Sequence, residues 1–358
     1  MKPRVLAAAV LFALGAGAIA YGVLADARGA RLQALLSEIE TAEERIPHSG
    51  TRVLEGTDWS VTLRVAAEGG RSRVELLELS GGKRPSARGP LAGRVPFLAS
   101  FPEFLKPAHG QWARKVKDYG LALRNYEVVP AGHAVVAGRE AELLEVRPRL
   151  GGRPGYRVAA DAANRFPLRF EVVSGGRRVF VAEFREIEYA AEVSSGPAGP
   201  RRPPWLKVAR EEVPFREVPG RVDYGIWAPA RLPEGFELRR SALVRVRVDL
   251  PEEVRRGMER LPFPIPRIDA RVAHFDYTDG IAVLSVVECP ARSELWKVVR
   301  GLLGGGANEG AGTAVVVRRF ADAGGSAFFL ETGDTAILAA GNVDAGEIEE
   351  MIRTLRRR

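Results

Sequence analysis

The stretch Leu168-Arg-Phe-Glu-Val-Val-Ser-Gly-Gly-Arg-Arg-Val-Phe-Val181 decides the fold. Its apolar residues alternate with Arg169 and Glu171, a period of two that is typical of a strand with one buried face. Ser174-Gly-Gly-Arg177 then predicts a tight hairpin turn into a second strand over 179–189. The sequence therefore predicts an antiparallel sheet at this point of the chain.

The segments upstream extend this sheet and add a helix. Residues 58–65 alternate apolar and polar side chains in the same way. Before them, residues 31–46 place leucines and isoleucines on one helical face, and Pro47 ends the helix. A helix followed by a long antiparallel meander predicts an α+β domain over 31–194, in which a curved sheet wraps the helix.

The apolar face of the predicted sheet is a candidate binding surface. A curved sheet with an apolar concave face is a suitable site for an apolar ligand. The alternative is that these side chains simply pack on the helix over 31–46, and for each residue taken alone the alternative is favoured. The candidate lining residues are Trp59, Val61, Leu63, Leu168, Phe170 and Val172.

A proline-rich segment predicts a boundary between two domains. Residues 195–204 contain four prolines, a density that neither helices nor sheets tolerate. The chain beyond it, 205–358, predicts a smaller α+β domain. Thr278-Asp-Gly280 predicts a hairpin turn between two strands. The chain is predicted to end in a helix that starts at Asp344 and buries a stripe reaching Leu355.

The composition is that of a globular protein. The chain has 358 residues, of which 46% are hydrophobic and 27% charged, which excludes a disordered or multi-pass membrane protein. The net charge is +8, but the arginines are scattered and often adjoin glutamates, so no nucleic-acid partner is predicted. Cys289 is the single cysteine, which excludes an internal disulfide framework.

The N-terminus predicts export. Residues 1–4 carry two basic side chains, and the 21 residues of 5–25 carry no charge. At about 1.5 Å per residue such a helix matches the thickness of a bilayer core. Ala25-Asp-Ala27 fits a cleavage site, so 1–27 is either a cleaved signal peptide or a retained anchor. Both alternatives place the rest of the chain in the periplasm or cell envelope, and the second tethers it to the inner membrane.

The sequence offers little catalytic or metal-binding chemistry. The glycine-rich stretch 301–312 lacks the Lys-Ser/Thr of a phosphate-binding loop. His274, Asp276 and Asp279 could suggest a metal site, but an Asp before Gly is ordinary turn chemistry. Cys289 lies in an apolar strand, which favours a buried, inert thiol. The sequence thus predicts a non-enzymatic protein without catalytic residues, a metal site or a cofactor.

Several stretches resemble the RseB/MucB family of periplasmic regulators of the sigma-E envelope-stress pathway. They occur in family order and span roughly residues 130–355. They are 136–149, 155–158, Asp161 and 166–171 in the first predicted domain, and 232–236, 274–286, 310–313, 317–319 and the closing helix in the second.

The resemblance implies both a fold and a function. The first domain is expected to be a half-barrel similar to that of lipoprotein carriers, followed by a smaller α+β domain. Family members bind the periplasmic part of a membrane-bound anti-sigma factor, and lipid-like ligands release it. The sequence therefore predicts a regulator that binds such a partner, senses an apolar ligand, or does both. The alternative function is that of a lipid or lipoprotein carrier.

Overall fold

The computed structural model describes residues 33–57, 59–68, 71–81, 118–190, 205–252, 267–302, 316–318 and 326–358. The predicted signal or anchor segment 1–27, the linker 195–204 and most of the glycine-rich stretch 301–312 lie outside the described residues. So do residues 310–313 and 319 of the family resemblance. Within the described ranges, no helix is both long and apolar enough to cross a membrane.

Eight antiparallel strands form the first sheet. Their spatial order is β3-β2-β1-β8-β7-β6-β5-β4, so the chain pairs β1 with β8 and leaves β3 and β4 at the two ends. The strands are β1 (His48–Glu55), β2 (Trp59–Glu68), β3 (Arg71–Gly81), β4 (Tyr126–Val136), β5 (Arg139–Pro148), β6 (Gly155–Asp161), β7 (Pro167–Ser174) and β8 (Arg177–Tyr189).

A helix packs on one face of this sheet, which we call the inner face. The helix, α1, occupies 33–45 of the described chain. Its residues Leu36, Ile39 and Ala42 recur every three positions and are buried against apolar side chains of β4–β8. Arg52 of β1 pairs with Glu43 of α1 at 2.8 Å. The predicted arrangement of a curved antiparallel sheet around a helix is confirmed.

A second, shorter helix leads directly into the edge strand. α2 (Tyr119–Asn125) begins after Asp118, whose side chain accepts a hydrogen bond from the Leu121 N–H at 2.9 Å. β4 continues through Pro130 as one strand, with a register shift between Pro130 and His133. A shift of this kind keeps a strand paired although proline cannot donate a ladder hydrogen bond.

The opposite, outer face of the first sheet carries charged side chains. Glu145 pairs with both Arg147 and Arg157, and Glu171 pairs with Arg157 and Arg169. These residues occupy the alternate positions of strands whose other side chains are buried. The alternation predicted for 168–172 therefore separates a charged face, on which Glu171 is buried beneath its arginine partners, from an apolar packed face.

The second sheet has seven strands in the order β14-β15-β16-β13-β12-β11-β9. A separate pair is formed by β10 and β17. The strands are β9 (Leu206–Glu212), β10 (Trp227–Pro229), β11 (Glu237–Val248), β12 (Ile268–Thr278), β13 (Val283–Pro290), β14 (Val316–Arg318), β15 (Ser326–Thr332), β16 (Thr335–Gly341) and β17 (Leu355–Arg357).

Two apolar clusters cover the two faces of the second sheet. One contains Phe275, Leu284 and Phe328 together with residues of α4 (Ala345–Arg353). The other contains Val246, Val272 and residues of α3 (Glu294–Leu302). A 3-10 helix (Phe215–Arg221) also contributes to the first of these clusters. Because the strands of the second sheet are buried on both faces, most of their side chains are apolar.

The end of the chain differs from the prediction. Asp344 caps α4 as expected, with its side chain accepting from the Gly346 N–H at 2.8 Å. The prediction that the helix continues through Leu355 is wrong, because α4 ends at Arg353 and Leu355 begins β17. Thr354 is the C-cap residue, and its hydroxyl donates to the Met351 carbonyl at 2.8 Å. Leu355 is still buried, but as a strand residue paired with Pro229.

Candidate functional site

Five of the six predicted lining residues, all except Trp59, lie on the inner face of the first sheet. Cross-strand pairing links Val61 to Leu54, Leu54 to Ala182, and Ala182 to Phe170. Directly opposed residues share a face, so this row crosses four adjacent strands on the inner face. Leu63, Leu168 and Val172 have the same parity on their strands and lie on the same face. Only the backbone of Trp59 is described, within β2.

The burial of these residues divides the inner face into two parts. Leu168, Phe170 and Val172 are buried, with exposed fractions of 0%, 7% and 2%. They belong to the apolar clusters that contain the α1 residues, as the packing alternative predicted. Val61 and Leu63 on β2 are half-buried. An apolar strip therefore remains partly accessible beside α1, and its role in ligand binding stays a prediction.

A turn from the second sheet also covers the inner face. Residues 278–282 connect β12 to β13, and we call them the docking turn. Ile281 of this turn is 4% exposed and belongs to the same apolar cluster as Tyr126, Tyr156 and Phe170 of the first sheet. Gly280 lies against the backbone of α2, and its carbonyl accepts a hydrogen bond from the Asp118 N–H at 3.2 Å. The docking turn thus completes the core of the first sheet.

Asp279 of the docking turn is fully buried and accepts four hydrogen bonds. One carboxylate oxygen accepts from the N–H groups of Ile281 and Ala282, at 3.1 and 2.8 Å. The other accepts from the Tyr126 hydroxyl at 2.9 Å and from Arg153 Nε at 3.0 Å. Burial raises the pKa of Asp279, while these donors and the guanidinium charge favour the carboxylate.

Arg153 lies between the two sheets and is paired on every side. Besides Asp279, its guanidinium donates to the carboxylate of Glu347 and, at 2.7 Å, to the carbonyl of Glu234. It also lies 4.7 Å above the ring of Phe236. The Arg153 side chain is 1% exposed. Although Arg153 follows β5 of the first sheet, all of these partners belong to the second part of the chain.

Two asparagines add further hydrogen bonds at the same contact. Asn125 at the end of α2 donates to the carbonyls of Asp279 and Gly235, at 2.8 and 3.1 Å. Asn342 after β16 donates to the Tyr156 hydroxyl at 3.1 Å. Its side-chain oxygen accepts from the Val283 N–H at 2.6 Å. We call the set of contacts around the docking turn and Arg153 the junction.

A second polar group lies within the second sheet. His274 Nε2 is 2.9 Å from Asp276 Oδ1, and the Ser285 hydroxyl donates to the same oxygen at 3.1 Å. Burial opposes ionisation of Asp276, but the hydrogen bond from His274 and the charges of His274, Arg210 and Arg240 lower its pKa to about 2. Asp276 and Ser285 both contact the same imidazole nitrogen.

This arrangement does not provide a nucleophile or a metal site. In a catalytic triad the carboxylate and the hydroxyl contact different nitrogens of the histidine, so that one orients the ring and the other loses a proton. Asp279, the third residue of the metal hypothesis, is engaged at the junction instead. Across the ranges that the structure covers, no group of three or more His, Cys, Asp or Glu side chains could hold a metal ion.

Sequence reasoning missed the junction because its parts are far apart in the chain. Asp279 was interpreted as an ordinary turn residue, and its local hydrogen bonds to Ile281 and Ala282 agree with that. Its partners Tyr126 and Arg153 are 153 and 126 residues away. The one available signal was Ile281, an apolar residue directly after a hairpin turn, where polar residues are usual.

We expect Gly280→Ala to weaken the junction by about 2–3 kcal/mol, which urea unfolding of the whole chain would measure. Gly280 has φ of +107°, and a Cβ there would lie 2.1 Å from the Ala122 nitrogen. Gly333→Ala is the matched control, because Gly333 has φ of +61° but open space around it. Equal losses in both variants would contradict close packing of the docking turn against α2.

Two sheets, the first curved around a helix and closed by a turn of the second, define an α+β protein with a covered apolar face. Residues 31–195 match the MucB/RseB N-terminal domain. Over this part of the chain, the match confirms the resemblance predicted from the sequence. The comparison with curated proteins finds no match.

Solved structures of similar fold cover both sheets. A crystal structure of MucB in complex with MucA(peri) has a TM-score of 0.52 and 19% identity, covering 91% of this chain and 98% of that one. The complex structure of Pseudomonas aeruginosa MucA/MucB has a TM-score of 0.51 with the same identity and coverage. At this identity the likeness establishes a shared fold.

Proposed function

We propose that this chain is a non-enzymatic regulator that binds the periplasmic part of a membrane-bound anti-sigma protein. The observation that carries the proposal is the combination of a MucB/RseB N-terminal domain with a fold that follows MucB, in its complex with MucA(peri), over 91% of the chain. The buried His274, Asp276 and Ser285 lack the geometry of a nucleophilic site, which also favours binding over catalysis.

The proposal includes export and two domains. Residues 1–27 have the charge pattern of a signal peptide or an anchor, so we place the protein in the periplasm, either free or tethered to the inner membrane by 5–25. The domains would be 31–194 and 205–358, joined by the proline-rich linker 195–204. This arrangement supports regulation, because two domains joined by one linker can separate when the junction opens.

The proposal also includes a response to an apolar ligand, in envelope-stress signalling. The half-buried Val61 and Leu63 beside α1 support it, since partly accessible apolar side chains on a curved sheet suit a lipid-like chain. The same observation favours the alternative function, a lipid or lipoprotein carrier. The two functions differ in whether a protein partner binds.

Titration calorimetry tests the protein partner. We expect residues 28–358 to bind the periplasmic segment of the single-span anti-sigma protein of the same organism with 1:1 stoichiometry and a Kd of about 1 μM or lower. A scrambled segment of the same composition is the control. Absence of binding at about 100 μM of a folded sample would overturn the regulatory proposal and leave the carrier as the better explanation.

A further inference from the structure

β9 lies at an edge of the second sheet and pairs with β11 alone among the described strands. The Asp249 N–H donates to the Trp205 carbonyl at 2.9 Å, and the Val213 N–H donates to the Ser241 carbonyl at 3.1 Å. Because hydrogen-bonded pairs alternate along an antiparallel ladder, the odd-numbered residues of β9 direct their backbone groups at β11. The even-numbered residues direct theirs away from the sheet. They are Leu206, Val208, Arg210 and Glu212. Such a row of outward N–H and C=O groups is a template for one more strand.

The sheet face that carries the odd-numbered side chains of β9 has an excess of positive charge. Directly opposed residues share a face, and the pairing of β9, β11 and β12 places four cations in two adjacent rows. We call them the basic strip: Lys207, Arg245, Arg247 and Arg271. Asp269 is the one carboxylate in these two rows, and a hydrogen bond from Arg245 lowers the pKa of Asp269 to about 2. The ionised carboxylate offsets one of the four positive charges.

The carboxylates at the two ends of the basic strip do not neutralise it. Glu211 pairs with Arg221 at 2.6 Å, and Asp249 pairs with Arg267 at 3.8 Å. Each of these pairs is neutral by itself. Lys207 has no carboxylate partner in the part of the chain that the structure describes, and it is exposed on the edge strand. The strip therefore favours a partner that brings negative charge to the edge.

The opposite face of the same edge is apolar. Val208 lies opposite Val246 and packs against the apolar cluster that contains Leu206, but it is only half-buried. Successive side chains of a strand point to opposite faces. A strand added beside β9 would therefore place every second side chain next to Lys207 and Ala209, and the others next to Val208. Ala209 is short, so it leaves room for an acidic side chain opposite it to approach Arg245 of the next strand.

We infer that β9 binds an extended segment of a protein partner, which adds to the second sheet as a further strand and in which acidic and apolar residues alternate. Backbone hydrogen bonds to the even-numbered residues of β9 provide affinity, and the two faces of the edge select the alternation. The inference goes beyond the anti-sigma proposal, which names no surface of the second sheet, and its test uses a different probe.

Synthetic peptides of about ten residues test the selectivity by calorimetry. We expect the chain to bind a peptide of alternating glutamate and valine with a Kd of about 10–100 μM at low ionic strength. A peptide of the same composition, with all glutamates before all valines, is the control and should bind at least about tenfold more weakly. Equal dissociation constants for the two peptides would mean that the strip attracts negative charge without strand addition, and would overturn the inference.

Backbone pairing is tested on the peptide and on the protein. N-methylation of every second peptide residue removes the N–H groups that face β9 or those that face away, so one of the two methylated peptides should lose binding and the other retain it. Val208→Pro removes an outward N–H without touching the ladder with β11, and should weaken binding by about tenfold. The methylated peptides leave the protein unchanged, so their result holds whether or not Val208→Pro folds. Equal binding of both would overturn the inference.

The charge of the strip and the location of the peptide are measured separately. We expect Lys207→Glu to raise the Kd of the alternating peptide by about fivefold. Lys297→Glu, at an exposed lysine of α3 that pairs with Glu294, is the matched control and leaves the Kd unchanged. The bound peptide should also slow hydrogen exchange over 206–212 and leave the other edge strand, β4, unchanged. Slower exchange at β4 instead would place the peptide on the first sheet and overturn the inference.

Two other occupants of the edge are outcomes of the same experiments. Displacement of the peptide by phosphatidylglycerol vesicles, but not by phosphatidylcholine vesicles, would assign the basic strip to a membrane surface. A dimer of the wild-type chain that Val208→Pro abolishes, measured by sedimentation, would assign the edge to a second copy. Either result would overturn the inference. Binding of the anti-sigma segment is measured independently, so the proposed function is retained in both cases.

Discussion

Arg153→Ala should lower the free energy of unfolding of the whole chain by about 3–5 kcal/mol and separate the two sheets. The substitution leaves the buried carboxylate of Asp279 without its cationic partner, and it also removes the donor to Glu347 and to the Glu234 carbonyl. An uncompensated buried charge costs more than the ion pair contributes, because the carboxylate cannot be rehydrated while the sheets stay in contact. Urea unfolding measures the loss, and small-angle scattering measures the separation.

Arg124→Ala is the control for this prediction. Arg124 also joins the two sheets by an ion pair, at 2.9 Å to Glu237, but both side chains are more than 60% exposed. Exposed pairs of this kind contribute about 0–1 kcal/mol. Similar losses in the two variants would show that the junction depends on the number of ion pairs and not on burial of Arg153.

The first sheet was largely predictable from local patterns. The alternation at 168–172 and the Ser174–Arg177 turn correspond to β7, β8 and their hairpin. An alternation with a period of two can be recognised from residues that are adjacent in the sequence. The same holds for the turn at Thr278–Gly280. The end of α4 was not predictable in this way. The position of Leu355 fits the apolar stripe of a helix, but its pairing with Pro229 makes it part of β17. That partner lies more than a hundred residues away, beyond the reach of a periodicity argument.

The candidate binding surface was predictable only in part. The parity of each strand placed Val61, Leu63, Leu168, Phe170 and Val172 on one face, and the structure places them on the inner face. The part of that face that is accessible to solvent depends on how α1 and the docking turn pack on it. That packing consists of contacts between segments that are distant in the chain. The sequence pattern of Asp279 and Ile281 is compatible with an ordinary exposed hairpin, so nothing local distinguishes a turn in solvent from one that closes a core.

Glu288 is a further residue whose role depends on distant packing. It lies on β13 with the same parity as Leu284 and Val286, facing an apolar cluster, and is 0% exposed. One carboxyl oxygen accepts from the Trp227 N–H of β10 at 2.9 Å. The other has no hydrogen-bond partner in the part of the chain that the structure describes. Burial raises the pKa of Glu288 to about 8, against the opposing effect of the Trp227 N–H.

The raised pKa predicts that the protein loses stability as the pH rises. The folded chain binds the Glu288 proton more tightly than the unfolded chain, whose pKa is 4.5. The resulting stabilisation is complete below pH 4.5 and is lost as the pH rises through about 8. Between pH 5 and pH 8 the loss amounts to roughly 3–4 kcal/mol. Burial lowers the pKa of His48 from 6.5, so the contribution of His48 to the stability of the folded chain has the opposite pH dependence. It increases as the pH rises towards 6.5.

Glu288→Gln isolates this contribution, because the amide keeps the acceptor for the Trp227 N–H and does not titrate. We expect the variant and the wild-type chain to have similar free energies of unfolding at pH 5, and the variant to be more stable by roughly 3–4 kcal/mol at pH 8. Every other titrating group is common to both chains, so the difference between their urea-unfolding profiles cancels His48 and the junction carboxylates. Glu349→Gln, at a surface glutamate of α4 that pairs with Arg353, is the control and should follow the wild-type profile. Parallel profiles for Glu288→Gln and the wild-type chain would mean that the Glu288 carboxyl is ionised in the folded protein and is compensated by a group that approaches its second oxygen.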